Sequence, residues 1–81
     1  MADKSSVRLN KEQAINAALL FLRREFGNND ISATSLRCTV DCLRDEEHDT
    51  VTYEFVYNAR TLVVVRNGTY KPAVSWKSKE G

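Results

Sequence analysis

No stretch of the sequence approaches the roughly 18 consecutive apolar residues of a membrane-spanning helix, and its start, MADKSSVRLNKEQ, lacks the apolar run of a secretory leader. The expected compartment is therefore the cytoplasm, with no membrane contact. An excess of one charge sign is also missing. Lys and Arg number 12 against 11 Asp and Glu, a net charge of +1, so no large field draws the chain to nucleic acid or anionic lipid. Cysteine is confined to Cys38 and Cys42, and a reducing compartment keeps such thiols free. The single histidine, His48, has no serine or cysteine at a recognisable motif spacing to act as its nucleophile. No internal repeat, low-complexity segment or domain linker is visible. Together these absences leave no catalytic signature, and the chain reads as a non-enzyme for which no cofactor and no metal are expected.

What is present is the composition of a folded domain. Of 81 residues, 42% are apolar and 28% charged, close to the average for globular proteins and far from the disordered regime. So short a chain forms one domain and buries a modest core, so association with a second copy is the expected supplement to its stability.

The helix signals are local and complete. Asn10 precedes KEQAINAALLFLRREF with Gln13 three positions later, the pattern of a capping box, and Leu9 stands where a hydrophobic staple would. Ile15, Ala18, Leu19, Leu22 and Phe26 recur at the spacing of one buried stripe, widened by Ala14 and Phe21. Leu22 and Phe26 are the expected core anchors, while Leu20 falls on the far side among Gln13, Asn16 and Arg24. Gly27 supplies the left-handed residue that ends the helix.

Downstream the period changes to two. Over 35–43, Leu36, Cys38, Val40 and Cys42 alternate with Arg37, Thr39 and Asp41; over VTYEFVYN, Val51, Tyr53, Phe55 and Tyr57 alternate with Thr52 and Glu54. NAR turns the chain. TLVVV is apolar on both faces, as a central strand is. Asn67-Gly68 gives a hairpin signal, and a last strand over 70–76 carries Pro72, a residue of sheet edges and bulges. One helix followed by strands with short connections implies an α+β fold, with the N-terminal helix packed on a three- or four-stranded antiparallel meander. The expected division is a tail at 1–8, a single domain over 9–76 and a second tail at 77–81.

The segment CTVDCLRDEEHD concentrates two thiols, a histidine and five carboxylates. On a helix Cys38 and Cys42 would sit about 6 Å apart and could share a metal with His48; on a strand they lie about 13 Å apart, too far for a disulfide or one tetrahedral zinc. The alternation favours the strand, with both thiols expected to be reduced, metal-free core residues, largely buried beside Leu36 and Val40. Asp45, Glu46, Glu47, His48 and Asp49 lack the carboxylate spacing and glycine of a calcium loop and read as an acidic, solvated turn.

Two groups of residues remain as binding candidates. Because one helix covers one face of a small sheet, either Val63 and Val65 or Leu62 and Val64 are expected on the uncovered face, with Val56 beside them. Arg60, Tyr57 and Trp76 add basic and aromatic character. These residues point to a non-catalytic protein-interaction module, expected to pair as a homodimer; the alternative is a nucleic-acid or small-ligand binder, which no RNP-type motif supports and Glu54 interrupts.

At the level of pattern, KEQAINAALLFLRREFG followed by TVTYEFVYN and TLVVVRNGTYKPAV resembles the PepSY-type and cystatin-like small domains, in which one helix packs on a short antiparallel sheet. The resemblance spans about residues 10–74. It implies an inhibitor, immunity or adaptor role through a protein partner. Two departures stand beside it: the cystatin loop pattern Gln-x-Val-x-Gly is absent, and PepSY-type domains usually work outside the cytoplasm.

Overall fold

A computed structural model of the protein describes residues 9–77. The tail expected at 1–8, and that at 77–81 apart from Lys77, lie outside the described residues. Helix α1 (Lys11–Phe26) is followed by a short 3-10 turn (Ala33–Ser35) and four strands, β1 (Arg37–Asp45), β2 (Thr50–Tyr57), β3 (Arg60–Asn67) and β4 (Ala73–Trp76). The strands form one antiparallel sheet in the order β1-β2-β3-β4, each hydrogen-bonded to its neighbour in sequence. The α+β meander anticipated from the periodicities is the fold.

The ends of α1 are set by the residues that signalled them. Gln13 N donates to Asn10 Oδ1 at 2.8 Å and Asn10 N donates to Gln13 Oε1 at 3.0 Å, closing the capping box. Gly27 takes a φ of 61° and its amide bonds back to Arg23, leaving the helix without strain on a side chain. Ala14, Ala18, Leu19 and Leu22 are buried, with Ile15, Ala17 and Phe21 partly so. Leu20 is 66% exposed, on the solvent side as its helical phase requires. Phe26 departs from the core role expected of it: it is 48% exposed, because the last residue of α1 overhangs the sheet and packs at its rim against Tyr57 and Trp76.

The helix lies over β3 and β4. Beneath it Tyr53 and Phe55 of β2 stand opposite Val64 and Leu62 of β3, and all four are buried with Leu9, Leu22 and Ile31. This register decides between the two rows of β3: Leu62 and Val64 face α1, and Val63 and Val65 face away.

Strand β1 does not follow the simple alternation read from its sequence. Cys38 lies opposite Phe55, but Val40 lies opposite Glu54 and Leu43 opposite Thr52, so the register shifts twice. These bulges place Val40 on the face away from α1, whereas Cys38 and Cys42 pack against the core, each half-buried and unbridged. Asp41 turns to the helix side, where Lys11 Nζ lies 3.6 Å from its carboxylate. Cys42 takes a φ of 60°, an unusual conformation for a residue with a Cβ.

The hairpin turns on either side of β3 also exchange roles. The tight one joins β2 to β3 through Asn58 and Ala59, both with positive φ (52° and 65°), flanked by the pair Tyr57 and Arg60. At Asn67-Gly68 only Gly68 has positive φ, and a longer loop through Pro72 leads to β4.

Candidate functional site

The open face of the sheet can be built row by row from the strand register. The first row runs Leu43, Thr52, Val65, Ala73; the second, Val40, Glu54, Val63, Ser75; the third, Arg37, Val56, Thr61. Val56, Val63 and Val65 thus share one surface and are each partly exposed, and Leu43 at its corner is 59% exposed. Near the middle sits Glu54, with a side chain only 16% exposed, bonded by Lys77 Nζ at 3.2 and 3.4 Å to its two carboxylate oxygens. Lys77 is further fixed by its amide, which donates to Thr61 O at 2.8 Å. The face is therefore apolar at the Leu43 end and carries one organised ion pair.

The other three candidates, Arg60, Tyr57 and Trp76, belong to a different surface. They stand on the helix side of the sheet, beyond the C-terminal end of α1. Arg60 Cζ lies 3.8 Å from the Trp76 ring centroid, Phe21 and Phe26 meet Trp76 edge-on at 5.8 and 6.2 Å, and Phe26 leans on Tyr57 at 5.8 Å. Phe21 and Phe26 complete this cluster. Their helical spacing marked them in the sequence as core, and only the end of the sheet, invisible to periodicity, turns Phe26 outward.

The acidic turn is organised from within. Asp45 Oδ1 accepts from the amides of Glu47 (3.1 Å) and His48 (3.3 Å), and Asp45 Oδ2 pairs with His48 Nδ1 at 2.8 Å. Asp45, Glu47 and His48 bring ligand-type atoms within 4.8 Å of one another, all exposed. Turn formation accounts for this grouping, since the carboxylate of Asp45 is engaged by the backbone it caps.

Burial raises the thiol pKa of Cys38 above its ordinary value, with Lys11 opposing the effect. A raised thiol pKa lowers the thiolate fraction, the opposite of what a nucleophile needs. Burial likewise pushes the Tyr53 phenol upward, with Cys42 adding to the shift. Two clefts open near the start of α1: one of about 530 Å³ lined by Leu9, Arg44, Asp49, Val51 and Arg66, and one of about 350 Å³ lined by Gln13, Asn16, Tyr70 and Lys71. The first mixes both charge signs. Arg66 is tied by Nε to Tyr70 O at 3.0 Å.

Comparison of the chain with protein-family models, with characterised proteins and with solved structures finds no match. Among the described residues, no helix is long and apolar enough to cross a membrane.

Proposed function

We propose that the protein is a non-catalytic interaction module that pairs with a second copy through the open face of its sheet. The observation that carries this reading is the row structure of that face, in which Leu43 is exposed and Val40, Val56, Val63 and Val65 are partly exposed on the side opposite α1, where no element of the described residues covers them. The two central strands have eight residues each, so the face runs for about 26 Å along β2 and β3. The edges of the sheet are poor alternatives. β1 is bulged twice, and β4 has four residues preceded by Pro72, so neither offers a long, regular row of backbone groups. A twofold pair uses one patch on both subunits, with Glu54 and Lys77 fixing the register. Inhibitor, immunity and adaptor proteins are the roles such a module serves.

Sedimentation of the protein across a range of concentrations tests the reading. The wild type is expected to dimerise, and the double variant Val63→Thr, Val65→Thr to stay monomeric with an unchanged circular dichroism spectrum, because threonine keeps the β-branched shape. A wild type that remains monomeric at high concentration, or a dimer indifferent to both substitutions, would refute it.

A further inference from the structure

The aromatic cluster at the end of α1 is not used by the open face, and its composition is that of a binding hot spot. Tryptophan, tyrosine and arginine are the residue types that dominate interface energetics, and here Trp76, Tyr57 and Arg60 gather with Phe26, which is 48% exposed. We infer that this cluster is a docking site for an acidic segment of a partner protein, whose carboxylate is held by Arg60 and whose aromatic side chain packs on Phe26 and Tyr57.

The charge distribution selects this occupant. Arg60 makes no ion pair among the described residues and is itself exposed, so a cation stands free at the edge of the aromatic cluster. Arg60 Cζ sits 3.8 Å over the Trp76 ring, so its guanidinium is held on an aromatic surface while the residue remains exposed. That arrangement suits a carboxylate, which it can bind through two parallel hydrogen bonds in a setting poorer in water than open solvent. The same geometry keeps a nucleic-acid base from stacking on Trp76. A base needs a free ring face on which to stack, yet Arg60 occupies one face of Trp76, and Phe21 and Phe26 crowd it at interplanar angles of 69° and 68°.

The inference rests on reading the protein as an interaction module, but not on its pairing through the open face. Its test is therefore separate from sedimentation. Trp76 is the one tryptophan of the chain, so intrinsic fluorescence reports directly on the cluster. The full-length protein is titrated with a synthetic peptide in which aspartates and glutamates flank a phenylalanine. A saturable change in Trp76 emission is expected, weakening as salt rises from about 0.05 to about 0.5 M. Arg60→Glu should raise the dissociation constant about tenfold or more while the circular dichroism spectrum is retained. Lys71→Glu, the same change of charge at the other end of the molecule, should leave it unaltered. Equal binding of a basic peptide with the same phenylalanine, or equal losses in the two variants, would overturn the proposal. So would stronger quenching by an oligothymidylate, or a shift of emission on dilution alone that Arg60→Glu abolishes, which would seat a second copy in the site.

Discussion

Tyr53 donates its phenolic hydrogen to the carbonyl oxygen of Leu9 at 3.1 Å, joining the middle of the sheet to the residue before the helix cap across 44 positions of sequence. Both residues are buried, so this bond satisfies two polar groups that water does not reach. Tyr53→Phe leaves the Leu9 carbonyl without its partner and should cost about 1 to 3 kcal/mol, measured by urea denaturation.

The same burial gives a pH dependence. The folded pKa values of Tyr53 and Cys38 lie above those of the unfolded chain, so at alkaline pH the unfolded state releases protons that the folded state retains. Their contribution is therefore complete below the ordinary thiol range of about 8.5 and the phenol range of about 10, and is lost as pH rises beyond each. A midpoint that falls first above about pH 9, with the later loss absent from Tyr53→Phe, is the expected outcome. A stability flat to pH 11 or so would contradict the assignment.

Helix phase is testable at two leucines. Leu22→Ala empties a fully buried site and should destabilise by roughly 2 to 5 kcal/mol, whereas Leu20→Ala should change stability by less than about 0.5 kcal/mol. Phe26→Ala should fall between them, since it removes the contacts with Tyr57 and Trp76 without opening a cavity in the core.

Ala59 occupies a position that glycine would fill better. Its φ of 65° in the turn after Asn58 costs an alanine about 1 kcal/mol. Ala59→Gly creates the Asn-Gly pair that this turn prefers and should raise the melting temperature by roughly 4 to 8 °C, less whatever entropy the freer unfolded chain gains.

Asn10→Ala removes the side-chain half of the capping box, the acceptor of the Gln13 amide, and leaves the backbone amide at position 10 to donate to Gln13 Oε1. A loss of about 1 kcal/mol is expected by chemical denaturation, with Asn10→Ser recovering most of it, since serine also accepts from the first turn.

These positions also show what sequence patterns convey. Asn10, Gln13 and Gly27 mark the helix because capping is chemistry between residues a few positions apart. The meander is equally legible, since short connections leave adjacent antiparallel pairing as the simplest arrangement. The bulges of β1 are not, because no glycine marks Cys38 to Leu43 and the only break in alternation is the adjacent pair Cys42 and Leu43; the extra residues show only when Phe55, Glu54 and Thr52 are set opposite them. The turn at Asn58-Ala59 was legible in NAR, and only its tight, positive-φ form was concealed by an alanine in a glycine's conformation. Among the candidate residues, the alternation of TLVVV left two faces open for its valines, and the opposition of Tyr53 to Val64 decides between them. Arg60, Tyr57 and Trp76 separate from Val56, Val63 and Val65 for the same reason, since register is a relation between strands.

The meander order has a kinetic consequence. Every strand pairs with its neighbour in sequence, so each hairpin closes a short loop and the sheet can assemble by successive local steps. The contacts of α1 with β3 and β4 join segments far apart in the chain, and they gain nothing until that sheet exists to receive the helix. Docking of α1 should therefore come after the folding barrier. In stopped-flow measurements Leu22→Ala would then accelerate unfolding far more than it slows folding, while a substitution in the hairpin of β2 and β3 would act chiefly on the folding arm. The lifetime of the folded protein would rest on the helix, and its speed of formation on the sheet.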